Sequence, residues 1–119
     1  MPKPVFWMGS SHKDIRELPD EIQSALGYAL WEVQNGEYPR HAKVLRGFGG
    51  ASVLEIRESL HGNAYRAVYT IRFAKAVYVL HVFQKKSPSG IRTSRIDIEL
   101  VRRRSLAALA DYEARYGGE

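Results

Sequence analysis

Three strand-like runs crowd into residues 52–83, and little else this chain does can ignore them. Ser52 to Ser59 alternates, with Leu54, Ile56 and the following Leu60 on one side and Val53, Glu55 and Arg57 on the other. Ala64 to Phe73 is rich in β-branched and aromatic residues. Ala76 to Phe83, AVYVLHVF, is the most hydrophobic stretch of the chain and reads as a central strand. The connections are too short to hold a crossover, so the three runs predict an antiparallel meander. His61-Gly62-Asn63 supplies a tight turn between the first two.

Helical signals flank the meander. Residues 4–8, PVFWM, form a short apolar run that reads as a first strand. Ser11-His-Lys-Asp14 reads as a capping box opening a short helix that stops near Leu18, because Pro19 cannot continue it. From Asp20 to Gln34, apolar residues fall at Ile22, Ala25, Leu26, Ala29, Leu30 and Val33, the stripe of an amphipathic helix, and Asn35-Gly36 ends it. Gly36 to Gly50 reads as an irregular loop carrying Lys43 and Arg46, tied to the body through Leu45. Ser94-Arg-Ile-Asp97 is a second capping box, opening a last helix that runs to about Tyr116. Its apolar positions, Ile96, Leu100, Leu106 and Leu109, are spread widely enough that only part of it is expected to pack. The order β, α, α, β, β, β, α predicts an α+β fold: an antiparallel sheet of about four strands against two N-terminal helices, with a C-terminal helix. At 119 residues, without repeats or a Gly/Ser/Pro linker, the chain is expected to be one domain, 1–119.

Composition narrows the chemistry. There is no Cys, which excludes disulfides, thiolate-held zinc, iron–sulfur clusters and a cysteine nucleophile. No stretch reaches the ~18 consecutive apolar residues of a membrane span, and the N-terminus lacks a signal peptide's apolar run, so the expected compartment is the cytoplasm. The net charge of +5 is unevenly placed. Residues 1–56 carry six basic and seven acidic side chains, residues 57–104 eleven and three, and residues 105–119 one and three. A basic middle on a small domain points to a polyanion, nucleic acid or ribosome, or to an acidic partner protein; a solvated face is the plainer alternative.

The meander also gathers polar residues. His81, Phe83 and Lys85 fall two apart and share a face while the strand stays regular. Tyr65 and Tyr69 share a face with each other, and Arg66 points opposite unless a bulge intervenes. With Arg57 on the neighbouring strand, these residue types suit RNA cleavage without a metal. A base frees the 2′-hydroxyl to attack the neighbouring phosphate, a cation offsets phosphorane charge, and an acid protonates the leaving 5′ oxygen. Arg clamps phosphate through its fork, His or Lys moves protons, and aromatic rings stack on splayed bases. Each has a structural alternative. His81 also reads as a core residue, the tyrosines as packing residues, Lys85-Lys86 as a solvated strand end and Arg102-Arg103-Arg104 as a solvated helix face. His12, His41 and His61 have no metal-site spacing, and Gly47-Phe-Gly-Gly50 lacks the Lys-Ser/Thr of a phosphate loop.

The stretches FWMGSSHKDIRELP, ALGYALWEVQNGEYPRHAKVLRGFGG, VLEIRES, GNAYRAVYTIRF, AVYVLHVFQKKS and IDIELVRRR resemble the phage-related, HigB-like branch of the RelE/ParE toxin superfamily. The resemblance spans about residues 6–104 and is most specific from YRAVY to LHVFQKKS. One departure is Ser94 after Thr93, where many branch members have Pro. The resemblance implies a compact toxin whose sheet and helices form an RNA-binding cleft, active without metal or cofactor. It implies cleavage of messenger RNA on the ribosome, and a helix-turn-helix antitoxin covering the basic cleft. Carried onto this chain, it makes Arg57, Arg66, His81 and Lys85 the catalytic candidates and Tyr69, Phe83, Lys86 and Lys43 the substrate-binding ones. Arg57 and Arg66 would bind phosphate, His81 or Lys85 would handle protons, and Phe83 or Tyr69 would stack on a base. Two rival readings stand beside it: a ParE-like toxin that poisons gyrase, and a phage-derived RNA- or protein-binding module with a decayed site.

Overall fold

The computed structural model describes residues 2–85 and 93–117. Its elements run β1 (Val5–Trp7), α1 (Ser11–Arg16), α2 (Asp20–Gln34), β2 (Ala42–Val44), β3 (Val53–Leu60), β4 (Asn63–Thr70), β5 (Val77–Lys85) and α3 (Arg95–Tyr116). The five strands form one sheet in the order β1-β5-β4-β3-β2. The meander is β3-β4-β5, antiparallel throughout. Its first turn is a two-residue connection, His61 at φ 51° and Gly62 at φ 83°, the left-handed pair that matches strand twist in a tight hairpin.

The α+β expectation holds, and two strands depart from its details. β1 joins β5 in parallel, pairing Val5 with Val77 and Trp7 with Val79, so the sheet is mixed. β2 arises inside the segment read as a loop: Ala42 pairs with Ile56 and Val44 with Leu54, and the flanking Leu45 N–H donates to the Val53 carbonyl at 2.9 Å. A three-residue strand among glycines and a proline has no periodicity to announce it. The first helix is capped one residue earlier than its box suggested. Ser10 is the N-cap, and its hydroxyl bonds the Asp14 carboxylate at 2.7 Å instead of a backbone amide. The second box is as expected, with the Ser94 hydroxyl accepting from the Asp97 N–H.

Because side chains alternate along each strand, the sheet buries two apolar layers. One face carries Leu54, Ile56, Tyr65, Ala67, Tyr69, Val77, Val79 and Val82 against Ile15 of α1 and Ile22, Leu26, Leu30 and Val33 of α2. The other carries Val53, Val68, Tyr78 and Leu80 against Val101 and Ala108 of α3. The buried positions of α3 are thus Val101 and Ala108, while Ile96 and Leu106 face solvent.

The spacing of β5 changes midway. Val77 and Val79 face the first layer, but the next residue to do so is Val82, three positions on. The register explains it: Tyr69 pairs with Val79 and Val68 with His81, leaving Leu80 as an extra residue, a β-bulge. Leu80 and His81 therefore both lie toward α3, and from His81 onward the alternation is regular. Among the described residues no helix is long and apolar enough to cross a membrane.

Candidate functional site

Directly paired residues on neighbouring strands share a face, so the register alone assembles a polar surface toward the start of α3. Lys43 of β2 faces Glu55 of β3. Arg57 of β3 faces Arg66 of β4, and Arg66 faces Phe83 of β5. Lys85 lies two residues beyond Phe83 on the same strand. Two cations directly opposite each other repel, and the third residue on this surface supplies the compensation. Glu55, 1% exposed, accepts the Arg57 Nε–H at 3.0 Å, and its same oxygen lies 3.0 Å from Arg57 Nη2 as an ion pair and 3.7 Å from the Arg66 Nε. Its other oxygen accepts from the Thr93 hydroxyl at 2.6 Å.

Beside this cluster opens a cleft of about 700 Å³, walled by β2, β3 and the segment leading into α3. Lys43, Arg46, Arg57, Glu55 and Thr93 supply its polar lining, and Val44, Leu45 and Ile98 its apolar lining. The charge is strong enough to be felt by its members. Burial, then the neighbouring Arg57, lowers the pKa of Arg66 against the pull of Glu55. Lys85 is lowered by the desolvation it meets and by Arg66 and Arg57. An amine so placed gives up its proton more readily than an ordinary lysine.

His81 is held from two sides. Its Nε2 bonds the Asp97 carboxylate of α3 at 2.7 Å, and its ring stacks on Phe83 with centroids 4.4 Å apart and planes 17° apart. Asp97 is itself fixed by the Ser94 hydroxyl at 2.6 Å. Burial pushes the imidazole pKa down and outweighs Asp97, which acts to raise it. The other nitrogen, Nδ1, is buried and has no hydrogen-bond partner. His81 thus forms a wall of the site, with both ring nitrogens turned away from open solvent.

Arg57, Arg66, His81, Lys85, Phe83 and Lys43 therefore come to one face, as their strand positions imply. Tyr69 does not. It is 1% exposed in the layer beneath α1 and α2, across the sheet from the arginines, so it has no surface to offer a base. Burial drives its phenol pKa upward, which keeps it neutral. Lys86 lies outside the described residues. The Arg102–Arg104 run is not one solvated face. The Arg102 guanidinium donates to the Gly47 carbonyl at 3.1 Å and sits over the Phe48 ring, and Arg104 donates to the Leu80 carbonyl at 3.0 Å. Sequence reasoning did not assign Glu55, Arg46, Thr93 or Asp97 to the site. Glu55 had a usable signal, being two residues from Arg57 and hence on its face; the others arrive from loops and from α3. Among the described residues no group of three or more His, Cys, Asp or Glu side chains comes together to hold a metal ion.

The fold has solved counterparts. A toxin–antitoxin complex RelBE2 from Mycobacterium tuberculosis matches over 71% of this chain and 100% of its own, with 24% identity and a TM-score of 0.51. An Escherichia coli toxin RelE variant in the free state matches over 87% of this chain and 98% of its own, with 24% identity and a TM-score of 0.56. Comparison with curated proteins gives no significant match. The family model for phage derived protein Gp49-like (DUF891) matches residues 13–105, a span that contains every described side chain of the cleft, and the chain belongs to that family, with the RelE-type fold.

Proposed function

We propose that the chain is the toxin of a toxin–antitoxin pair and that it cuts messenger RNA within the cleft, on the ribosome. The observation that carries the reading is the opposed pair Arg57 and Arg66, bound to one buried carboxylate at the edge of a basic cleft. Membership of the Gp49-like family and likeness of fold to RelE toxins support the toxin part.

In this mechanism the two guanidiniums take the non-bridging oxygens of one phosphate and offset the charge that builds on the phosphorane. Lys85, whose amine is held below its ordinary value by desolvation, Arg66 and Arg57, takes the proton of the 2′-hydroxyl. The 2′-oxygen–phosphorus bond forms, the bond to the 5′ oxygen breaks, and that oxygen takes a proton from solvent in the open cleft. The products are a 2′,3′-cyclic phosphate and a 5′-hydroxyl end. His81, with Nε2 committed to Asp97 and Nδ1 buried, serves as the support on which Phe83 stacks. Phe83 carries a base, and Lys43 and Lys86 hold flanking phosphates. The partner is an antitoxin of helix-turn-helix type that covers the basic face; the M. tuberculosis neighbour is a toxin–antitoxin complex.

The test is induced expression followed by mapping of RNA 5′ ends in growing cells. Cuts within translated codons are expected. Intact RNA with DNA-damage signalling would instead make the chain a gyrase poison. Arg66→Ala with Lys85→Ala is expected to relieve growth arrest while the protein still folds, and full toxicity of that variant would place the chemistry elsewhere.

A further inference from the structure

We infer that Glu55 is the positioning residue of the site, the group that fixes both arginines for phosphate. The inference deepens the cleavage reading above and rests on it for its kinetic arm. Three observations converge on this carboxylate. It is almost fully buried, at 1% exposure, in a chain whose other carboxylates are largely at the surface. A buried carboxylate is costly unless its oxygens are occupied by charge-assisted donors, and here they are: Arg57 on one oxygen, Thr93 on the other. It also lies between like charges that the β3–β4 register forces into opposition.

The geometry of the Arg57 contact is what makes it orienting. Oε1 of Glu55 accepts the Nε–H and lies 3.0 Å from Nη2 as well, so the side edge of the planar guanidinium is turned to the buried carboxylate. Arg57 keeps 30% of its side chain exposed and lines the cleft. Arg66 is more deeply set, and its Nε lies 3.7 Å from the same oxygen without a hydrogen bond, so Glu55 acts on it through charge. Thr93 closes the arrangement by anchoring the carboxylate to the segment that opens α3. Glu55 does not touch the phosphate; it acts through the arginines.

This role has an unusual signature. Glu55→Gln keeps the shape but deletes one negative charge beside the phosphate site. Affinity for a polyanion then rises while the arginines lose their fixed orientation. Tighter binding alongside slower chemistry separates this role from simple damage to the fold, which weakens both. The binding probe is a 2′-O-methyl single-stranded oligoribonucleotide, which cannot be cut; turnover is read on programmed ribosomes; arginine order is read from the Arg57 and Arg66 Nε–H signals by NMR. For Glu55→Gln, Kd is expected to fall by about tenfold at low salt, and kcat to fall by roughly 100-fold, the cost of a small misplacement. The two Nε–H signals are expected to broaden or collapse together. Thr93→Val loosens the carboxylate without removing its charge, and is expected to lower kcat with Kd unchanged; it carries the test if Glu55→Gln does not fold. Unchanged kcat in both variants, weaker binding in Glu55→Gln, or unaltered Nε–H signals overturns the inference. If the wild-type protein cuts no RNA, the cleavage reading fails by itself, and the Nε–H signals still decide the role of Glu55.

Discussion

Gly9 and Arg104, far apart in sequence, are predicted to behave as one unit. Gly9 lies between β1 and α1 at φ +55°, a conformation in which an L side chain is strained. A Cβ added there would meet Nε, Cζ and Nη2 of Arg104 at 2.5–2.6 Å, closer than real contacts allow. The arginine is a flexible group but not an idle one. Its guanidinium donates to the Leu80 carbonyl at 3.0 Å, the carbonyl of the bulged residue, and to the Ser10 hydroxyl at 3.4 Å. Gly9→Ala therefore adds roughly 1–2 kcal/mol of left-handed strain and evicts a charged hydrogen bond worth about 1.5–3 kcal/mol. The expected destabilisation is about 2.5–5 kcal/mol. Urea unfolding followed by circular dichroism measures it, and a double-mutant cycle with Arg104→Ala divides it. In the Arg104→Ala background only the strain remains, so Gly9→Ala is expected to cost about 1–2 kcal/mol there. An equal cost in both backgrounds would refute the steric argument; a cost below about 0.5 kcal/mol in the wild type would refute the strain as well.

Three further outcomes are expected. Tyr78→Phe removes the phenol that donates to Asp111 at 2.5 Å, and is expected to cost about 1–2 kcal/mol. The Asp111 carboxyl, held low first by Tyr78 and then by Arg115, should titrate higher in that variant by NMR, and an unmoved titration would remove Tyr78 as the cause. His81 titrates lower in the folded protein than its ordinary value, so the unfolded chain binds the proton more readily. Stability is therefore expected to fall as pH drops through about 6.5. The His81→Gln protein should lose less over the same range, and equal losses in urea midpoint would mean another group is responsible. Binding of single-stranded RNA should weaken steeply with salt because phosphate contacts release counterions, and flat dependence would argue against the basic face as the contact.

The meander, the α2 stripe and the β3–β4 hairpin were legible because their signals are local: alternation, a 3.6-residue period, and a Gly in a two-residue turn. Strand alternation also assigned faces correctly, separating Arg66 from Tyr65 and Tyr69. Tyr69 was nonetheless a poor choice to stack a base, since its face is buried by helices whose docking no pattern within β4 records. The parallel pairing of β1 with β5 joins residues more than seventy positions apart. The bulge at Leu80 could not be seen either. Up to Leu80 the run AVYVL is apolar on both faces, so an inserted residue there leaves no break in its pattern. The site was legible in its cations and not in its anions. Lysine and arginine advertised themselves by number, while Glu55 and Asp97 matter through the partners the fold brings to them, Thr93 and His81.

The order in which the parts emerge has its own consequence. Thr93 and Asp97, which complete the Glu55 and His81 contacts, and Val101 and Ala108, which seal the second apolar layer, all follow the last strand. The chain leaves the ribosome N-terminus first, and a domain folds as a unit. A nascent chain whose five strands have just left the exit tunnel still holds these residues within it, so Glu55 and its arginine pair are not yet braced by Thr93. The carboxylate that holds the arginine pair is thus fixed only after the segment opening α3 has reached the sheet.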